Sequence, residues 1–134
     1  MRYLLYAFAA FLAGVVPASA QYTYPNLTGT WTGSGDRIVL HRDTAKPTYE
    51  TTPLTLIIKG QRDRRFYGAL KISERKEQLT YDLVGVFTGQ NTFKWAEADG
   101  FVEGRLIDPS TLEACYLFIS TFSQAAACET LKRQ

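Results

Sequence analysis

Glu97 and Glu103 are the nearest approach in this chain to a working pair of carboxylates, with Trp95 just ahead of them. Acid–base chemistry needs two carboxyl groups held on one surface in different environments. Here Asp99-Gly100 reads as a hairpin turn between them, which makes both glutamates rim charges in water. A Glu97 turned inward would fix a ligand at the mouth of a pocket rather than move protons. Nucleophilic catalysis finds no parts: there is no G-x-S-x-G, and no serine or cysteine stands beside a base. The only histidine, His41, lies between Leu40 and the charged Arg42-Asp43, with neither a second histidine nor a C-x-x-C to make a metal set. The chain is therefore expected not to be an enzyme and to need no metal or cofactor.

The two cysteines, Cys115 and Cys128, have a different chemistry available, a disulfide across one hairpin, provided the compartment is oxidising. The first twenty residues supply that compartment. Arg2 is a positive leader residue, 3–16 form an apolar core too short to span a bilayer, Pro17 follows, and Ala18-Ser19-Ala20 is an A-x-A cleavage signal. Residues 1–20 are read as a signal peptide cleaved after Ala20, and 21–134 as one periplasmic or secreted domain. No stop-transfer run follows, so no membrane span is expected. Cleavage leaves 14 basic and 13 acidic side chains, a balance that gives nucleic acid no electrostatic foothold. The cluster Arg62-Asp63-Arg64-Arg65 is placed at a hairpin tip.

The elements that must position these groups alternate with period two, and no stretch carries a convincing amphipathic helix. Strands are expected over residues 27–34, 37–41, 54–59, 65–73, 78–88, 92–97, 101–107, 112–121 and 127–132, each bounded by Gly, Pro, Asp, Asn or Ser. Lys46-Pro47 and Thr52-Pro53 make 42–53 a long loop in this reading. Leu54, Leu56 and Ile58 share a face with Phe66, Gly68, Leu70 and Ile72, as do Leu79, Tyr81, Leu83 and Phe87 on the next strand. Residues 112–121 are apolar on both faces, Cys115, Leu117 and Ile119 against Ala114, Tyr116 and Phe118, which suggests a second subunit or an overlying loop. An apolar-x-Gly repeat, in Leu27-Thr28-Gly29, Phe66-Tyr67-Gly68, Phe87-Thr88-Gly89 and Val102-Glu103-Gly104, puts glycines where a small barrel bends. The fold expected is an all-β, antiparallel up-and-down barrel of about eight strands.

Asn26-Leu27-Thr28-Gly29-Thr30-Trp31-Thr32 resembles the G-x-W opening of the calycin barrels: lipocalins, avidins and bacterial metalloprotease inhibitors. Gly29 and Trp31 share one strand face, so the indole is expected as a structural plug at the closed end. Phe93-Lys94-Trp95, residues 101–108 and Ala114-Cys115-Tyr116-Leu117 look like the avidin segments that carry two ligand-contacting tryptophans. The resemblance is to a divergent bacterial member, and it implies that Trp95 and Tyr116 take those two places. Avidins usually follow the first tryptophan with an asparagine and then a serine or aspartate for the biotin ureido group, whereas this chain has Thr32-Gly33-Ser34, so only Ser34 matches. The last strand carries Cys128-Glu129-Thr130 without the family's tryptophan and aspartate, so tight biotin binding is not expected.

Two functions fit these residues. One is a small-molecule binder taking an apolar or aromatic ligand against Trp95, Tyr81, Tyr116 and Ser34. The other is an inhibitor or interaction module that inserts the 42–53 loop or residues 21–25 into a protein partner. A homo-oligomer is compatible with either. The interior discriminates: an open aromatic pocket belongs to the binder, and a filled barrel to the inhibitor.

Overall fold

The computed structural model describes residues 23–74, 77–97 and 100–134, so the leader and Gln21 lie outside the described residues. Alternation carries through eight strands, β1 (Gly29–His41), β2 (Pro47–Arg62), β3 (Arg65–Glu74), β4 (Glu77–Phe87), β5 (Thr92–Glu97), β6 (Gly100–Asp108), β7 (Thr111–Ile119) and β8 (Ser123–Arg133). Each pairs antiparallel with the next and β8 pairs with β1, so the sheet closes into an all-β barrel.

Two expectations from sequence are corrected. The segments at 27–34 and 37–41 belong to one strand, because the ladder runs unbroken through Ser34↔Pro53, Gly35↔Thr52 and Asp36↔Thr51. Gly35-Asp36 looks like a turn locally, yet partners on both sides hold it extended. The long loop at 42–53 is instead a short turn followed by strand, with Pro47 and Pro53 both inside β2. β3 begins to pair with β2 only at Leu54, so 47–53 is an edge bonded to β1 alone. An edge seats proline where the missing N–H would face the open side. The basic cluster does form a hairpin tip: Arg62 pairs with Arg65, and Asp63 takes a φ of 55°, which aspartate tolerates in a turn.

Inward side chains fill one end of the barrel. Trp31 is 0% exposed, its Nε1 donates to the Leu27 carbonyl at 2.9 Å, and the Arg133 guanidinium lies 4.3 Å over its ring. Arg133 also donates to the carbonyls of Thr28 at 2.8 Å and of Asn26, tying β8 to the segment that crosses beneath the barrel. Gln61 anchors the same segment, accepting from Leu27 N at 2.8 Å and donating to the Pro25 carbonyl at 2.9 Å. Above this floor Phe66, Phe87 and Phe93 meet edge to face with centroids 5.9–6.0 Å apart, and Trp95 stacks on Phe93 at 5.7 Å. Their close approach depends on Gly85: a Cβ there would stand 2.2 Å from the Phe66 ring. Aromatics of this size each contribute about 2–3 kcal/mol through burial.

The outer face carries the disulfide. Cys115 and Cys128 are register partners on β7 and β8 with Cα atoms 4.1 Å apart, and they are bonded on the outside of the wall. Outer ion pairs include Lys94–Glu103, Arg105–Glu113 at 2.9 Å and Lys59–Asp82 at 3.4 Å. One row differs. Pairing places Phe101, Leu117, Ala126, Ile38 and Tyr49 side by side across β6, β7, β8, β1 and β2, with Leu117 62% and Tyr49 77% exposed.

Candidate functional site at the open end

Past Trp95 the large side chains stop and the barrel holds a cavity of about 110 Å³. At one water-sized sphere per heavy atom, that is room for roughly nine non-hydrogen atoms. Every strand but β6 contributes lining. Gly35 and Arg37 come from β1, Thr52 and Leu54 from β2, Leu70 and Ile72 from β3, Tyr81 from β4, Glu97 from β5, Tyr116 from β7, and Ala127 and Glu129 from β8. Period-two alternation explains each: Gly35 and Arg37 continue the Trp31 face, and Glu129 continues the face of the fully buried Leu131.

The polar groups are few and unevenly satisfied. Glu129 is 6% exposed, and its register partner across the seam is Gly35, where a Cβ would stand 3.4 Å from Oε2. Burial first, and the charge of Glu97 second, push the Glu129 carboxyl up to about 8. Glu97 is half-buried; burial raises its pKa, and a hydrogen bond from Trp95 Nε1 to its Oε2 at 3.0 Å partly opposes the rise. Arg37 Nη2 lies 2.5 Å from Glu50 Oε2, so the lining cation is already engaged at the rim. The Tyr116 ring lies against the backbone of Gly100, where a Cβ would stand 2.2 Å from it, and stacks on Phe118 at 6.3 Å.

Of the residues singled out from sequence as ligand-contacting, Tyr81 and Tyr116 line this cavity. Trp95 has the inward face but sits lower, 3% exposed in the aromatic core, and reaches the cavity through Glu97. Ser34 is a correction: it is exposed on the outer face, because Trp31, Gly33 and Gly35 take the inward positions of β1. Glu103 points outward and pairs with Lys94. Trp31 and Gly29 lie at the opposite, closed end, where Gly29 adopts a φ of 130° suited to glycine. Sequence reasoning missed Arg37 and Glu129, although counting back by twos from Leu131 reaches Glu129.

Two carboxyls, both with pKa values raised by burial, lie at one end of an apolar-walled cavity whose lining includes no serine or cysteine. Among the described residues no three His, Cys, Asp or Glu side chains converge as a metal-ligand set.

Neither a protein-family profile nor any curated protein sequence matches the chain. Solved structures match its shape. A protein of unknown function of the DUF3598 family from Nostoc punctiforme superposes with a TM-score of 0.56 at 14% identity, over 81% of this chain and 48% of the other, so this chain spans about half of that protein's length. A redesigned β-barrel gives 0.54 at 15% identity, covering 81% and 91%. The S-type phycobiliprotein lyase of Guillardia theta gives 0.53 at 12% identity, covering 81% and 88%. These likenesses agree with the closed, antiparallel eight-strand barrel described above.

Proposed function

We propose that this chain is an exported, non-enzymatic barrel that binds a small molecule in the cavity at its open end. The observation that carries the reading is Glu129, a carboxyl buried against an apolar-walled cavity without a counter-charge to stabilise it. Buried carboxyls are costly, and a barrel that needed only a filled interior would place an apolar residue there. Export rests on the leader motif at 1–20 and agrees with a disulfide on the outer wall. N-terminal sequencing of protein recovered from the periplasm or medium is expected to begin at Gln21.

The avidin resemblance read from the sequence implied ligand contacts at Trp95 and Tyr116 and a ureido partner at Ser34, and Ser34 faces outward. Biotin titration is therefore expected to leave intrinsic tryptophan fluorescence unchanged at nanomolar concentrations. The inserting-module alternative is weakened because 47–53 is strand, and because Tyr24 packs on Phe87 at 5.2 Å beneath the barrel. Self-association remains part of the proposal. Phe101, Leu117, Ile119, Ile38, Leu40 and Tyr49 present one exposed apolar outer surface, of the kind a second copy of the chain would cover.

Native mass spectrometry of the purified mature protein tests the binding reading. A ligand-sized adduct is expected on the wild type and is expected to be lost in Ala127→Phe, which fills the cavity, with the β circular-dichroism spectrum retained. An adduct that persists in a folded Ala127→Phe protein, or a wild type that carries none, would overturn the reading.

A further inference from the structure

Resting on that reading, the geometry points to a compact organic cation, an amine with an apolar body, as the ligand class of the cavity, its ammonium seated between Glu97 and Glu129. Glu129 is more than nine-tenths buried, lines the cavity, and is shifted by burial and by Glu97 with no hydrogen bond offsetting either. It is a polar group aimed at an empty volume rather than at a partner. Glu97 faces the same volume from β5, close enough for its charge to act on Glu129. Leu54, Leu70 and Ile72 form the apolar wall, and the volume holds roughly nine non-hydrogen atoms.

Charge decides among ligand classes. An anion would meet two acids, while the one lining cation, Arg37 of β1, already shares its charge with Glu50 of β2 at 2.5 Å. A neutral ligand would leave the two carboxyls repelling each other whenever both ionise. An ammonium group supplies the missing positive charge, and its donors match carboxylate acceptors. The other titratable side chains lining the cavity with Glu97 and Glu129 are Arg37 of β1, Tyr81 of β4 and Tyr116 of β7.

The proton balance follows. Free, the cavity holds a proton on Glu129; binding RNH₃⁺ forms the ion pair and releases that proton to solvent. Affinity therefore rises with pH, by up to about tenfold per unit, and levels off near pH 8.

Isothermal titration of the mature protein with benzylamine, benzyl alcohol and benzoate, at pH 6 and pH 8, tests the class. Benzylamine is expected to bind at least about tenfold more tightly at pH 8 than at pH 6, with a heat that changes with buffer in the sense of proton release. Glu129→Gln is expected to weaken benzylamine about tenfold and to remove the buffer dependence; Glu97→Gln, a second route to the same loss of charge, is expected to weaken it as well. Benzyl alcohol or benzoate binding as tightly as benzylamine overturns the cation class and leaves the small-molecule reading intact. Failure of all three probes to bind also overturns the class, and the wider reading then stands or falls on the adduct in native mass spectrometry. Benzylamine affinity that is equal in wild type and in a folded Glu129→Gln protein overturns the assigned seat.

Discussion

Replacing Glu129 with glutamine is expected to make the barrel more stable, and the size of the gain follows from the carboxyl's surroundings. Its pKa rises from 4.5 to about 8 on folding, chiefly through burial. A group whose folded pKa is raised binds more protons folded than unfolded between those two values, so for an acid the folded state loses stability as pH climbs from 4.5 through 8. At pH 7 the native carboxyl must take up a proton that the unfolded chain has already released, at about 1.4 kcal/mol per unit over roughly 2.5 units. The penalty is about 3 kcal/mol at neutrality and approaches about 5 kcal/mol above pH 8. Glutamine keeps the shape of the protonated acid without that proton uptake. Urea unfolding at pH 5, 7 and 9 should show the wild type weakening steeply and Glu129→Gln far less, with a gain of about 3 kcal/mol at pH 7, or on the order of 10 °C in Tm. Glu97, raised in the same direction, leaves a residual slope in both proteins. Parallel pH profiles, or a variant less stable than wild type at pH 7, would show that the carboxyl is not desolvated as described.

Trp31→Ala should cost about 3–5 kcal/mol in denaturant unfolding, because it removes a fully buried indole, its bond to Leu27 and the platform under Arg133; a loss below about 1 kcal/mol would refute its role as the plug. Unreduced protein should be two hydrogens lighter than reduced protein by intact mass, and converting Cys115 and Cys128 to alanine should destabilise the barrel by about 2–3 kcal/mol. Asp108 accepts from Ser110 N and Oγ, both at 2.8 Å, in the β6–β7 turn, and these bonds hold its pKa down at about 2. Its folded pKa is depressed, so its contribution is present above about 4 and lost as pH falls toward 2; Asp108→Asn should flatten that acid limb of the unfolding profile.

Alternation made most of the wall legible, because a side chain's face depends only on its own strand. Leu54, Leu56 and Ile58 face Phe66, Leu70 and Ile72 as their spacing requires. Gly35-Asp36 and Pro47 were not legible, since local chemistry marks them as breaks and only the paired neighbours show why the strand continues. At the site, Tyr81 and Tyr116 could be read from parity. Trp95 could not be placed in height, because depth along the axis is set by the register with Gly85 and Val102, which no single strand encodes. Ser34 came from a resemblance carried onto a position of the wrong parity. Glu129 was hidden by its type: in the run Cys128-Glu129-Thr130 a glutamate suggests water, while the strand turns it inward.

The joint between β1 and β8 also governs how this barrel assembles. Seven of the eight strand pairs are hairpins that can zip as the chain emerges, but the eighth joins segments about a hundred positions apart, as Arg133 and Thr28 show. Bringing such distant segments together carries an entropy cost that the nearby hairpins avoid, so closure of this seam should be the slow event, on the millisecond-to-second scale of non-local β topologies. Until it closes, β1 and β8 are bare edges, and Glu129, with β1 still absent from its side, remains in water as an ordinary carboxylate. Zipping the seam is the moment at which that carboxylate loses its hydration and takes up a proton. Refolding should therefore slow as pH rises, with the barrier growing as the proton becomes scarcer.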